Sequence, residues 1–360
     1  MNISELFKIM DQQEASDLFL SAGSVPRARI NGVVKEITKD MVTAQDMKDI
    51  SGRLLSDERR QKLYAENQDI DFILDEPITG GRFRINIFTQ RETPAIVARH
   101  VHRHIRTFEE LNLPAELLKQ FCDKSGGLVL VCGQAGSGKS TSIASMLEYI
   151  NLHQQKHIVT IEDPIEFLFE NKKSVINQRE LGVDVPSYPS ALKHVTQQSP
   201  DIIFIGNTRD LDTMRAAINA TELGCFVMTT FHTINATQTI TRMVNFFPPY
   251  LHEEVRMQLS LILKGIISLR LLPRLDRPGR IPAYESMVVT PTISRLIREG
   301  NIQEIQRFID EGDLFGMQSF KKSLVNLVKQ RIVSEEDARH VADSRDEFDL
   351  ELKGLKRFDK

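Results

Sequence analysis

The stretch GLVLVCGQAGSGKSTSIASMLEYI, residues 127–150, decides the fold. At its centre, GQAGSGKST (133–141) satisfies the whole pattern G-x-x-x-x-G-K-[ST], with an apolar run before it and a helix-forming run after it. A phosphate-binding loop connects a strand to a helix, so this context argues against a chance match in a glycine-rich turn. We therefore predict a strand, a phosphate loop and a helix, in that order.

The predicted phosphate loop comprises Gly133, Gln134, Ala135, Gly136, Ser137, Gly138, Lys139, Ser140 and Thr141. Its glycines permit a tight turn in which backbone N–H groups converge on phosphate oxygens, and the helix that follows adds its partial positive charge. We expect Lys139 to reach the β- and γ-phosphates of ATP, and Ser140 to ligate Mg²⁺.

Apolar runs of strand length recur after this loop, with helical stretches between them. They are HIVTIED (157–163), IIFIG (202–206) and CFVMTTFH (225–232). Continuous apolar strands that alternate with helices indicate an α/β domain whose sheet is mostly parallel and covered on both faces. From about residue 235 the helical period dominates, and SEED at 334–337 predicts the start of a late helix.

Residues 1–105 have the pattern of a small α+β domain. The turn ITGG (78–81) leads into RFRINIFTQ (82–90), which predicts a hairpin strand. Its alternation places Arg82 and Arg84 on one face, and Arg99 lies in the next alternating run. For the histidines that alternate in RHVHRH (99–104), a strand end is favoured over a metal chelate.

The chain is long enough for two domains. The predicted organisation is an α+β domain at 1–105, a linker at 106–116, an α/β domain at 117–290 and a helical region at 291–360.

Composition excludes several classes of protein. The net charge of −3, the absence of Trp and the presence of only 5 Tyr argue against a nucleic-acid-binding protein. No apolar run reaches the ~18 residues of a membrane span, and the N-terminus lacks the features of a secretory signal. Cys122, Cys132 and Cys225 have no metal-like spacing, which favours buried thiols in a reducing, cytoplasmic setting.

Polar residues follow the predicted strands at their carboxyl ends, where α/β sheets bind ligands. Glu162 and Asp163 end one strand, and Glu166 follows after a proline. We expect these acids to hold Mg²⁺ through water and to orient an attacking water, although a solvated acidic turn is the alternative. His232 ends another strand and is expected to sense the γ-phosphate, the alternative being a purely structural histidine.

Asn207 lies just past the strand at 202–205, where a nucleotide-hydrolysing protein is expected to carry a carboxylate. An amide can hydrogen-bond a water molecule but cannot accept its proton at neutral pH. Asp210 and Asp212 lie close enough in sequence to substitute in part. The residues therefore predict slow hydrolysis.

Taken together, these segments resemble the type IV pilus retraction ATPases, the PilT/PilU group of secretion-type motor ATPases. The matching segments are ASDLFLSAGSVPRARING (15–32), GRFRINIFTQR (81–91), GQAGSGKST (133–141), TIEDPIEF (160–167), TTFHT (229–233) and GMQSFKKSL (316–324). NFFPPYLHEEVRMQLSLILKG at 245–265 leans toward the PilU side of the group.

The resemblance implies a homohexameric ring at the cytoplasmic base of a type IV pilus, peripheral to the inner membrane. Each subunit would have a PAS-like N-terminal domain and a RecA-like P-loop ATPase domain, with ATP between them. Arg82, Arg84 and Arg99 would reach the transferring phosphoryl group, the alternative being solvent-facing strand residues. The implied partners are an inner-membrane platform protein and a paralogous retraction ATPase.

Four departures from the family pattern divide the functional prediction. Asn207 replaces the Walker B glutamate, Cys225 replaces a histidine, Gln197 replaces an arginine, and TIS (292–294) replaces AIR. Two functions therefore stay open. One is a retraction motor driven by ATP hydrolysis, and the other is an ATP-binding accessory subunit that assists a catalytically competent paralogue. A RecA-like nucleic-acid motor has little support in the composition.

Overall fold

The computed structural model describes residues 1–13, 15–30, 32–76, 80–101 and 104–354, which divide into two compact units. Unit 1 comprises Met1–His104 and Pro164–Leu168, and unit 2 comprises Ile105–Asp163 and Phe169–Lys360. His102 and part of the predicted ITGG turn lie outside the described residues. Within these described ranges, the structure contains no helix with the length and apolar character of a membrane span.

Unit 1 consists of an antiparallel sheet and three helices in its described residues. The strands are β1 (Asp17–Ser21), β2 (Arg27–Ile30), β3 (Val33–Glu36), β4 (Asp69–Asp75), β5 (Arg82–Gln90) and β6 (Thr93–Val101), and the helices are α1 (Ile3–Gln12), α2 (Ala44–Leu54) and α3 (Glu58–Asn67). The strand order is β3-β2-β1-β6-β5-β4. Phe83, Ile85 and Ile87 of β5 are fully buried, which confirms the predicted alternation and the α+β character.

Unit 2 is built around a mostly parallel sheet. Its strands are β7 (Gly127–Cys132), β8 (His157–Glu162), β9 (Val175–Glu180), β10 (Ile202–Ile205), β11 (Phe226–Phe231), β12 (Leu263–Pro273) and β13 (Arg280–Val288). The strand order is β13-β12-β7-β11-β10-β8-β9, and β13 is antiparallel to its neighbour β12. The prediction of an α/β domain with a mostly parallel sheet is confirmed.

Helices cover both faces of this sheet. They are α4 (Ala115–Cys122), α5 (Lys139–His153), α6 (Tyr188–Val195), α7 (Leu211–Glu222), α8 (Ala236–Asn245), α9 (His252–Ile262), α10 (Pro291–Glu299), α11 (Ile305–Asp310), α12 (Phe320–Lys329), α13 (Glu335–Val341) and α14 (Arg345–Leu352). Alternate residues of β7 join different cores, since Leu128 and Leu130 pack into one apolar cluster and Val129 and Val131 into another. A strand that is buried on both faces explains the continuous apolar run in the sequence.

The prediction that helical periodicity dominates from about residue 235 is wrong at 263–288, which forms β12 and β13. Helix α9 ends at Ile262 and β12 begins at Leu263, so no polar turn marks the change. A Cβ added to Gly265 would lie 2.1 Å from Phe121 of α4, so only glycine lets this strand approach the helix.

The segment 106–116, predicted as a linker, packs into unit 2. Phe108 and Leu113 are buried in the same apolar cluster as Phe121. The helical region predicted at 291–360 also contributes to unit 2, because α10 joins the larger cluster through Ile293 and Leu296.

Candidate nucleotide-binding site

The phosphate loop follows β7 and leads into α5, as the motif predicts. Gly138 is the N-cap of α5 and has a φ of 95°. Gly133 has a φ of 144°, and a Cβ added there would lie 2.4 Å from Ser137 Oγ and 2.6 Å from Leu269 O. Both the left-handed backbone and the close approach of β12 therefore require glycine at position 133.

Lys139 is buried, and its ammonium group lies against the loop. Its Nζ donates hydrogen bonds to Gly133 O at 2.7 Å and to Gln134 O at 2.9 Å. These contacts hold a positive charge inside the loop, where an anionic phosphate would be attracted to it.

The polar groups of the loop fit a phosphate ligand. Within the described chain, Ser137 Oγ is buried and has no hydrogen-bond partner. Gln134, Ala135 and Gly136 are exposed, and Ser140 is half-buried at the start of α5. A buried hydroxyl without a partner is costly, and a phosphate oxygen or a metal-bound water would satisfy it.

Strand pairing brings His232 next to the phosphate loop. Phe231 at the end of β11 pairs with Cys132 at the end of β7, so His232 and Gly133 leave neighbouring strands at the same edge. Strand β10 lies on the other side of β11 and delivers Asn207. The structure thus gathers three elements that the sequence placed at strand ends.

Asn207 and His232 contact each other directly. The amide Nδ2 of Asn207 donates to Nε2 of His232 at 3.3 Å, which makes Nε2 the unprotonated ring nitrogen. Partial burial, and then the positive charges of Lys139, Arg209 and Arg242, lower the pKa of His232. His232 is therefore neutral at neutral pH.

The three predicted acids do not belong to one unit. Glu162 is buried at the end of β8, where its Oε1 accepts hydrogen bonds from Thr160 Oγ1 at 2.6 Å and from Gln178 Nε2 at 3.3 Å. Asp163 is exposed in the same unit. Glu166 belongs to unit 1 and pairs with Arg84 at 3.1 Å. Their shared metal role stays a prediction.

The predicted arginines each pair with a carboxylate of unit 1. Arg84 contacts Asp71 at 2.6 Å, Arg82 contacts Asp75 at 2.7 Å, and Arg99 contacts Asp17 at 2.9 Å.

Arg84 and Arg99 are directly opposite each other on β5 and β6, so they share a face. The side chain of Arg82 is 7% exposed and that of Arg99 is 61% exposed. The alternative of a solvent-facing residue therefore describes Arg99 and not Arg82, and their contact with ATP stays a prediction.

Tyr188 is a residue of this region that the sequence reasoning missed. Its hydroxyl would lie 3.2 Å from a Cβ added to Gly206, the residue before Asn207. Burial raises the pKa of Tyr188, and the negative charges of Asp163 and Glu162 raise it further. The phenol therefore stays protonated and acts only as a neutral hydroxyl. The local sequence signals a helix start at Ser187 but no chemistry.

Comparisons with known proteins agree with this geometry. The family model described as type II/IV secretion system protein matches residues 3–285. The type IV pilus ATPase PilU of Pseudomonas aeruginosa is 36% identical over 98% of this chain and 92% of its own length. The type IV pilus retraction ATPase PilT of the same organism is 39% identical over 97% of this chain and 100% of its own.

Solved structures are also similar over almost the whole chain. One is the crystal structure of the pilus retraction motor PilT with bound ADP, with a TM-score of 0.86 and 40% identity. The match covers 96% of this chain and 98% of that one. The ATPase DotB of Legionella pneumophila, with a TM-score of 0.82 and 22% identity, supports the fold alone.

Proposed function

This chain belongs to the family of type II/IV secretion system proteins, and from this premise we propose that it is an ATP-hydrolysing motor subunit that drives retraction of a type IV pilus. The resemblance of nearly the whole chain to PilT supports the retraction function. The observation that carries the ATPase activity is the phosphate loop, with Lys139 buried in it and His232 on the neighbouring strand.

In this function the loop N–H groups and Lys139 bind the phosphates of ATP. Mg²⁺ would neutralise phosphate charge, and Ser140 and Glu166 are the residues proposed to hold it. The buried carboxylate of Glu162 and the exposed carboxylate of Asp163 orient the attacking water.

The three arginines and His232 are proposed to interact with the phosphoryl group that is transferred. Arg82, Arg84 and Arg99 stabilise this charge, an effect worth about 10³–10⁵ in rate where a single arginine supplies it. His232, neutral and held by Asn207, reports the presence of the γ-phosphate.

Hydrolysis is proposed to be slow because Asn207 stands where a carboxylate would accept a proton from water. The structure gives this residue a different use, since its amide donates to His232. Its Oδ1 is buried and lacks a hydrogen-bond partner among the described residues.

The assembly and location are proposed from the resemblance. Six copies form a ring at the cytoplasmic base of the pilus, and the motion of the ring acts on an inner-membrane platform protein. A paralogous retraction ATPase is a further partner.

Asn207 also favours a second candidate function, that of an ATP-binding accessory subunit that assists a catalytically competent paralogue. Cys225 points the same way, because it replaces a family histidine and is a buried thiol that donates to Pro200 O at 3.4 Å. Such a subunit binds ATP and assembles but does not turn ATP over.

Steady-state ATP hydrolysis by the purified chain separates the two candidates. The motor predicts a rate above that of Lys139→Ala, which removes the phosphate-binding ammonium, and a faster rate for Asn207→Glu. If the wild type only matches Lys139→Ala while Asn207→Glu gains activity, the accessory function is correct and the motor function is not.

A further inference from the structure

The residues that connect β11 to α8 are bonded to their surroundings throughout. We call residues 232–236 the His232 segment. Its hydrogen bonds include Asn207 Nδ2 to His232 Nε2 at 3.3 Å, Thr233 Oγ1 with Thr239 Oγ1 at 2.6 Å, Arg270 Nη2 to Ile234 O at 3.4 Å, Thr239 Oγ1 to Asn235 O at 2.7 Å, and Ala236 N to Glu285 Oε1 at 2.8 Å. Two of these partners, Arg270 and Glu285, come from β12 and β13, far away in sequence.

Glu285 is a carboxyl group in the core of unit 2. Its residue is 2% exposed, and its Oε1 accepts the N–H of Ala236, the first residue of α8. Its Oε2 accepts a hydrogen bond from Gln306 of α11 at 3.4 Å. The first N–H groups of a helix have no partner within the helix, so a carboxylate there is favoured by both the hydrogen bond and the helix dipole.

The local sequence already caps α8 without Glu285. The side chain of Asn235 accepts the N–H of Gln238 at 2.9 Å. A buried acid costs free energy that a neutral or apolar residue would avoid, so its presence on β13 calls for a further role. The carboxyl group fixes the end of the His232 segment relative to the sheet.

Arg270 supplies the complementary contact. From β12 it donates to Ile234 O at 3.4 Å, and it also donates to Val341 O at the end of α13 and to Asp343 Oδ1 just after that helix. Its guanidinium lies 3.8 Å from the ring centroid of Phe320 in α12. The arginine therefore joins the His232 segment to the C-terminal helices.

We propose that Glu285 and Arg270 are positioning residues, which hold His232 at the γ-phosphate and link it to helices α11, α12 and α13. Glu285 accepts a hydrogen bond from a backbone N–H of the His232 segment, and Arg270 donates one to a backbone C=O of the same segment. Together they fix the position of the segment. The proposal deepens the proposed function and rests on its triphosphate site.

Loss of the Glu285 carboxyl group should affect only the binding of nucleotides that carry a γ-phosphate. Without the Glu285 carboxyl group, the N–H of Ala236 lacks its buried acceptor and the segment is released. Binding of a triphosphate should weaken, because only it presents a γ-phosphate to His232. Binding of a diphosphate should not. The Glu285→Gln variant keeps an acceptor oxygen and should preserve the preference for the triphosphate.

The test measures dissociation constants of the full chain for a non-hydrolysable ATP analogue and for ADP. We expect Glu285→Ala to lower the preference for the triphosphate about tenfold, as His232→Ala does, and Glu285→Gln to keep it. In the double variant Glu285→Ala/His232→Ala, the second change should add nothing. The control is Asp201→Ala, which also removes a carboxylate acceptor of a backbone N–H at 2.8 Å, but at the opposite end of the strands.

Several results would overturn the positioning role: additive losses in the double variant, an equal loss in Asp201→Ala, a failure of Glu285→Gln to preserve the preference, or a wild type that binds both nucleotides equally. If Glu285→Ala does not fold, Arg270→Gln carries the test, and an unchanged preference in that variant refutes the link. A wild type that binds but does not hydrolyse ATP would contradict the motor function and leave this result intact.

Discussion

Replacing Glu285 by Gln should change how the stability of unit 2 depends on pH. The pKa of this carboxyl is raised from its ordinary 4.5 to about 7. Burial is the largest cause and the charge of Asp343 adds to it, while the Ala236 N–H, Gln306 and Arg270 oppose the rise. Each tenfold change in an ionisation constant corresponds to about 1.4 kcal/mol, so the difference amounts to about 3 kcal/mol.

The direction in which the unfolding free energy changes with pH depends on whether the folded or the unfolded state holds the proton. Between pH 4.5 and about 7, the folded protein keeps Glu285 protonated while the unfolded chain has lost that proton. The contribution of this residue to the unfolding free energy is therefore full below pH 4.5 and decreases up to about pH 7. Gln cannot ionise, so the variant should gain about 3 kcal/mol relative to the wild type across this window.

Thermal unfolding without nucleotide, at pH steps from 5 to 8, measures this difference. A change of about 3 kcal/mol corresponds to about 6–12 °C in Tm for a domain of 150–250 residues. Subtracting the wild-type Tm at each pH removes the contribution of every other titrating group, and the exposed Glu222→Gln serves as the control. A Tm difference between Glu285→Gln and wild type that stays constant with pH would refute the reasoning.

Three other changes have defined outcomes. Lys139→Ala should lose most of the rise in Tm that Mg²⁺–ATP gives the wild type, because a ligand stabilises only the state that binds it. An equal rise in both proteins would contradict the assignment of the phosphate loop. Gly133→Ala should destabilise unit 2 by about 2–6 kcal/mol in chemical denaturation, since it combines a φ of 144° with a Cβ 2.4 Å from Ser137 Oγ. A loss under about 1 kcal/mol would show that the loop relaxes freely. Arg99→Ala should alter the stability of unit 1 by less than about 1 kcal/mol, because its side chain is 61% exposed and the buried Asp17 keeps a second arginine partner, Arg29, at 3.2 Å. A larger change in the denaturation midpoint would make Arg99 a structural residue.

The sheet of unit 2 was predictable where burial is uniform. Strands β7, β8, β10 and β11 are each buried along most of their length, so their sequences are short apolar runs bounded by glycine or polar residues. Strand β9 is at the edge of the sheet, and its half-exposed residues give no such run.

The hairpin of β12 and β13 was missed for another reason. The apolar stretch continues from α9 into β12 without a turn, so composition does not mark the boundary. The decisive contact is the parallel pairing of β12 with β7, which begins more than 130 residues earlier in the chain. Pairing between such distant segments is a tertiary property that local periodicity does not encode.

The candidate site also has a part that the sequence predicts and a part that depends on the fold. The phosphate loop is local, and His232 and Asn207 follow from the rule that parallel strands carry ligands at their carboxyl ends. Their direct hydrogen bond was not predictable, because it depends on the order of β10 and β11 in the sheet. Glu285 had one signal in the sequence, a single acid inside an apolar strand, but its contact with Ala236 required the fold.

Asn207 bears on both candidate functions, because it affects proton abstraction and also the charge of His232. A carboxylate placed there would lie about as close to His232 Nε2 as the present amide, at 3.3 Å, and its negative charge would raise the pKa of the imidazole. The amide avoids this and leaves His232 neutral beside the positive charge of Lys139. In the proposed function, Asn207 therefore weakens proton abstraction and also preserves an uncharged histidine for the γ-phosphate. The proposed function therefore combines slow turnover with intact recognition of ATP, because both properties depend on the side chain of Asn207.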